Sequence, residues 1–396
     1  MQRFGTAFLD YWKRADKLLW LVMLAISGYS LILLKTIPNS SGRSYSYFAI
    51  QVMAILAGYL AAFIITAFDY RSLARLWWLA AGFCLLLLIY TYFKGTSVQS
   101  SGGMDTRAWI KLPGGLTFQP SELVKIAFML TFAKHVSVLK EHGLIDRFIH
   151  VMLLGVHALI PVLWMFIIQK DMGSAVVFFF MFLVMAFTAG VQLRYFALVF
   201  GLIGVALPVA WQTGLIADYQ KARLTDFPYM DSGNVDIDKI YQQLQGRISI
   251  GSGQITGRGL FTAPRVQKNA VPVQQSDYIF AVAAESLGLI GSLLLIGLLL
   301  ALMIRTIHVA RKATDDLGST MCYGFFAMIA IQTISNIGMC LCLLPVMGVT
   351  LPFFSAGGSS SACLYLGFGL VECVAMHPTI SDHIHIRRRA AITSAI

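Results

Sequence analysis

Residues 273–288 read VQQSDYIFAVAAESLG, and residues 289–304 continue LIGSLLLIGLLLALMI. Together they hold an apolar run long enough for a membrane-crossing helix, which needs about 20 residues. The run is not purely apolar. Asp277 stands at its mouth and Glu285 two turns inside it. A bilayer penalises both carboxylates, so each requires a cavity, a partner or a task. Eight residues are a little over two helical turns, so one helix through both acids would set them on a similar face and in one cavity.

Comparable runs recur along the 396 residues, of which 57% are hydrophobic and 12% charged. A soluble domain carries about twice that charged share. The chain therefore reads as an all-α polytopic membrane protein. A β-barrel would show short alternating segments instead. About ten transmembrane helices are expected, near 17–37, 45–68, 74–93, 120–137, 149–167, 173–190, 195–215, 278–304, 319–341 and 358–376. They form one domain over 1–396, with a large extracytoplasmic loop, 216–277, between the seventh and eighth helices. No internal repeat supports an inverted-repeat transporter. The N-terminus, MQRFGTAFLDYWKRADK, lacks a cleavable signal pattern, so the first span is expected to be an uncleaved anchor.

The net charge is +11. One alternating set of loops collects Arg3, Lys13, Arg14, Lys17, Arg71, Arg75, Lys140, Arg147, Arg194, Arg305, Arg311, Lys312 and Arg387 to Arg389. That set is expected to be cytoplasmic, with both termini inside the cell membrane. The positive balance then reads as contact with membrane lipids, and no nucleic-acid partner is expected. All six cysteines fall in or beside apolar runs and read as small packing residues.

All eight histidines lie outside the outer loops. Acid–base chemistry on that face must therefore rest on a carboxylate. Four constellations offer candidates. Gln119-Pro120-Ser121-Glu122 with Lys125 opens the fourth span, and Glu122 and Lys125 can pair at i,i+3. They read either as a structural pair or as a polar site facing a cavity. Asp171, in Gln169-Lys170-Asp171-Met172-Gly173, is either an ordinary turn residue or a second member of that site. Arg223, Gln242 and Arg258 lie among Gly251-Ser252-Gly253 and Gly257-Arg258-Gly259. Arginine beside glycine-rich backbone suits phosphate, through paired donors and exposed N–H groups, or is a plain surface loop. The fourth is Asp277 with Glu285. No dedicated metal motif is present.

At these residues the chain resembles the SEDS family, the RodA/FtsW-type peptidoglycan glycosyltransferases. The matching pieces are Arg107-Ala108-Trp109-Ile110, QPSE with Lys125, Gln169 to Gly173, DYQKAR, IYQ to IGSG, SDYIFAV with Glu285 and Gly288, NIGM, and LPVMGVTLPFFSAGGSS. The chain departs from the family pattern at Ala108, Lys170, Met172, Ser286 and Ala356. ISIGSG is closer to the RodA-like branch. The resemblance implies polymerisation of lipid II into glycan strands on the outer face of the cytoplasmic membrane, for elongation or division. It implies Asp277 as general base. It places Glu122, Lys125, Asp171, Gln242 and Glu285 at the substrate, with Arg107 and Arg223, and by its glycine context Arg258, holding pyrophosphate. A divalent cation is expected only as an aid to the leaving group. The implied partner is a class B penicillin-binding protein, a transpeptidase. A lipid-linked-oligosaccharide flippase is the alternative from another class.

Overall fold

The computed structural model describes residues 11–38, 46–99, 105–112, 117–214, 221 and 237–377. Helices occupy all ten expected spans: α1 (Lys17–Thr36), α2 (Tyr47–Thr66), α4 (Trp77–Lys94), α5 (Pro120–Glu141), α6 (Phe148–Leu163), α7 (Met172–Thr188), α8 (Leu193–Gln212), α11 (Ile279–Lys312), α12 (Asp316–Cys340) and α13 (Gly358–Met376). Short α3 (Tyr70–Arg75), and α9 (Ile237–Gly253) with α10 (Pro264–Gln267), lie between them. Among the described residues, eight helices are long and apolar enough to cross a bilayer, α6 being counted with the π-helical turn Trp164–Ile168 that continues it. The other two differ for simple reasons. α7 has 17 residues, and α5 carries Glu122, Lys125 and Lys134 along its apolar stretch.

The helix starts follow local chemistry. Asp16 accepts the Leu19 N–H at 3.1 Å and Ser46 the Ala49 N–H at 3.1 Å, satisfying donors that a new helix leaves open. Pro120 opens α5, where its missing N–H costs nothing.

α12 and α13 form the centre, with 72% and 83% of their apolar stretches buried, whereas α8 has 6% and faces outward. α13 lies tightly along α2. A Cβ at Gly58 would fall 2.5 Å from Tyr365 Cβ, and one at Gly369 2.6 Å from Ala62 Cα. Small residues let the two backbones approach, which replaces the hydrophobic drive that lipid does not supply. The chain alternation sets two ends. The starts of α1 and the finishes of α11 and α13 share a basic end; the opposite end carries the loops.

Two features at the loop end depart from the sequence expectation. Residues 96–118 hold a three-stranded antiparallel sheet, β1 (Thr96–Gln99), β2 (Asp105–Lys111) and β3 (Thr117–Phe118). The alternation Arg107, Trp109, Lys111 against Ala108 and Ile110 is its signal. The second is a break in α11. Its 34 residues would span about 51 Å if straight. At Gly288, φ is 67° and ψ is −158°, a conformation essentially confined to glycine. The segment 254–259 fills the break. Arg258 N donates to Glu285 O at 2.8 Å and Gly259 N to Ser286 O at 3.0 Å. In return Leu289 N donates to Gln254 O at 2.9 Å and Ile290 N to Ile255 O at 3.2 Å. Every backbone group freed by the kink named here thus finds a partner, as membrane burial demands.

Candidate functional site

The site grows from the short stretch before α11. Residues 273–277 make a turn in which Ser276 N and Asp277 N both donate to Val273 O, at 3.1 and 3.2 Å. Helix α11 begins only at Ile279, so Asp277 precedes the helix and lies outside its periodicity. This corrects the expectation that Asp277 and Glu285 share a helical face.

Three contacts fix the turn from α12 and the connection before α13. Asn336 Nδ2 donates to Asp277 O and to Val349 O, both at 2.8 Å. Ser355 Oγ donates to Ser276 O at 2.5 Å, and Ala356 N to Gln275 O at 2.8 Å. Asn336 and Ser355 received no separate role from the sequence, although an amide inside an apolar helix is itself a signal. Replacing Asn336 with Ala would take the amide donor from both carbonyls, leaving Asp277 O only the weak Cys340 Sγ donor at 3.6 Å, and an unsatisfied buried carbonyl costs about 1–3 kcal/mol. Asn336→Ala is expected to lower thermal stability in detergent and, if Asp277 is the expected base, to slow turnover by about tenfold or more, since small misplacements of a reacting group are costly. Unchanged stability and turnover would show that the turn is held by other contacts.

Beside this turn lies a groove of about 730 Å³. Ile50, Met53, Ala57 and Ala61 of α2 and Leu366 of α13 form its apolar wall. Gln275, Ser276 and Ser359 stand at its polar mouth, and Trp109 and Phe118 of the small sheet cover it. From Ile50 to Ala61 the α2 wall descends about 16 Å.

Behind the mouth the structure brings together Glu122, Lys125 and Asp171. Lys125 Nζ contacts Glu122 Oε1 at 2.8 Å, and both side chains are buried. Ser360 Oγ donates to Glu122 Oε2 at 3.3 Å. Gln119 bridges outward: its N–H donates to Ser359 Oγ and its Nε2 to Asp171 Oδ2, each at 3.2 Å. Asp171 caps α7 by accepting Ser174 N at 2.9 Å and Ser174 Oγ at 2.7 Å. Dense surrounding protein pushes the Asp171 carboxyl upward, although these two donors and Lys125 pull the other way.

A buried ion pair loses about 3–5 kcal/mol when one partner alone is removed, because the other charge is stranded. Glu122→Gln and Lys125→Met are each expected to destabilise strongly, and the double variant less than their sum. Additive losses in thermal unfolding would contradict a shared network.

The remaining candidates separate from this site. Glu285 is fully buried, and its Oε1 accepts the Arg265 N–H at 2.7 Å. It anchors the first turn of α10 and does not line the groove. The Arg258 and Gly259 N–H groups are consumed by the α11 break, Gly257 N donates to Gly253 O at 2.8 Å, and Arg258 Nε donates to Ser252 O at 2.7 Å. A phosphate cradle needs those N–H groups open, so this part of the expectation fails. Gln242 is half-buried on α9; its neighbour Gln243 is the one that ties α9 down, donating to Met339 O at 3.3 Å and Leu344 O at 3.0 Å. Arg107 lies on β2 opposite Ser97, but its side chain is outside the described residues, as is all of Arg223. Among the described residues no three His, Cys, Asp or Glu side chains gather as a metal centre.

Comparison with known proteins identifies the family and supports the fold. The family FTSW_RODA_SPOVE, cell cycle protein, matches residues 16–380. Peptidoglycan glycosyltransferase MrdB of Escherichia coli K12 is 29% identical over 380 residues, covering 93% of this chain and 95% of that protein. The crystal structure of Thermus thermophilus rod shape determining protein RodA superposes with a TM-score of 0.66 at 27% identity, over 92% of this chain and 97% of that one. A chain from a structure described as the structural coordination of polymerization and crosslinking by a peptidoglycan synthase complex gives 0.72 at 27% identity, over 91% and 97%. With a match spanning nearly its whole length, the chain belongs to the FtsW/RodA/SpoVE family.

Proposed function

We propose that this protein is a RodA-like peptidoglycan glycosyltransferase that polymerises lipid II at the outer face of the cytoplasmic membrane. The observation that carries the reading is the groove. Its polar mouth is built by Gln275 and Ser276, the two residues before Asp277, and its apolar wall descends along α2. A substrate with a sugar headgroup and a polyprenyl tail needs both surfaces at once.

In this reading the tail rests against α2 and α13, and the sugars sit at the loop end. Asp277 takes the proton from the acceptor sugar hydroxyl. That oxygen attacks the anomeric carbon of the donor, the β-1,4 bond forms, and the carbon–oxygen bond to the lipid pyrophosphate breaks. Arg107 and Arg223 are assigned to the leaving pyrophosphate. The Glu122–Lys125–Asp171 network holds α5, α7 and α13 around the mouth. Both termini and the basic end lie in the cytoplasm. A class B penicillin-binding protein is the proposed partner, joining the new strands through their peptides.

The test uses the purified full chain with that transpeptidase and labelled lipid II in vesicles. Polymer released as long glycan strands supports the reading. Movement of lipid II between leaflets without polymer would support a flippase instead.

A further inference from the structure

A second cavity, of about 430 Å³, opens at the basic end, far from the groove at the loop end. It lies between the start of α1 and the last turns of α11, with the end of α13 as its floor. Arg14, Lys17, Arg305, His308 and Lys312 line it, and Asp16 is the single acid on its wall. Asp16 is already committed: its Oδ2 accepts Arg305 Nε and Nη2, each at 2.7 Å. Glu372, behind the wall, accepts the Asp16 N–H at 2.8 Å. Arg14, Lys17 and Lys312 are exposed and remain to face an anion.

The apolar surface below continues from the cavity. Leu18, on its rim, is followed along α1 by exposed Leu21 and Leu24. On α11, exposed Ile304 and Leu300 lie about one and two turns below His308 on the same face. The two exposed apolar stripes run from the cavity on the two helices that form it, below the three cations. We propose that this cavity binds one anionic glycerophospholipid, its phosphodiester among Arg14, Lys17 and Lys312 and its acyl chains along the leucine stripes. A free phosphate shares the headgroup chemistry but has no use for the apolar stripes. The inference does not depend on the glycosyltransferase reading.

Native mass spectrometry of the full chain, titrated with phosphatidylglycerol or phosphatidylcholine in detergent, tests it. One phosphatidylglycerol should be retained in preference to phosphatidylcholine. Each removed cation should weaken retention by about fivefold, so Arg14→Gln with Lys312→Gln should lose about 25-fold. Lys312→Gln alone spares the charges that orient the first span and should lose about fivefold. A control with Arg75→Gln and Arg147→Gln removes equal charge at the same end and should bind as the wild type does. Equal losses in the control would reduce the effect to general surface charge and overturn the site. Displacement of the lipid by inorganic phosphate at equal concentration would overturn the lipid as its occupant.

Discussion

Asp277→Asn is expected to fold normally and to lower glycan polymerisation by at least about 100-fold, the lower range for a lost acid–base group. The substitution nearly preserves shape. Two bonds that seat this residue run through its backbone, from Asn336 Nδ2 to its carbonyl and from its N–H to Val273 O, and the substitution leaves both in place. The turn should therefore persist with an amide in place of the carboxylate. What disappears is the capacity to take a proton. Wild-type polymerisation by a pure, monodisperse Asp277→Asn protein would remove this residue as the base. Lipid II binding, measured separately, should change far less than turnover.

Gly288→Ala carries the largest expected effect on folding. The backbone there has φ 67° and ψ −158°. A side chain in that region costs on the order of 1–3 kcal/mol by strain alone. The added Cβ would also fall 2.4 Å from both Gly257 N and Ile255 O, backbone atoms that cannot swing aside. The segment 254–259 would have to leave the break, exposing the carbonyls of Glu285 and Ser286 and the N–H groups of Leu289 and Ile290. A total loss above about 4 kcal/mol is expected, which marginally stable proteins rarely survive. The control is Gly297→Ala in the same helix, where no atom lies within 4 Å of the new Cβ. It should fold at least as well as the parent. Matching melting temperatures for the two variants would show that the kink is not a structural requirement.

Glycine also explains why the segment around Arg258 closes against α11 instead of cradling phosphate. A Gly-Arg-Gly sequence suits phosphate because its N–H groups can be exposed. The same freedom lets a chain press closely against another backbone. A Cβ at Gly253 would lie 1.9 Å from Ala284 O, so that helix too is held at glycine distance. Local sequence does not distinguish the two uses, since both demand the missing side chain.

Some of this protein was determined by its sequence alone. The ten apolar stretches dictated ten helices, because a backbone in hydrocarbon must satisfy its own hydrogen bonds. The i,i+3 spacing of Glu122 and Lys125 dictated their pairing, which is local geometry. Tertiary structure decided the rest. Asp277 and Glu285 are eight residues apart, yet one belongs to a turn beside the groove and the other anchors α10 against a broken helix. The groove exists only where α2, α13 and the small sheet meet, and the Asp277 turn is held from α12 and residues 349–356. Those contacts join residues distant along the chain, and their partners emerge only when the helices pack.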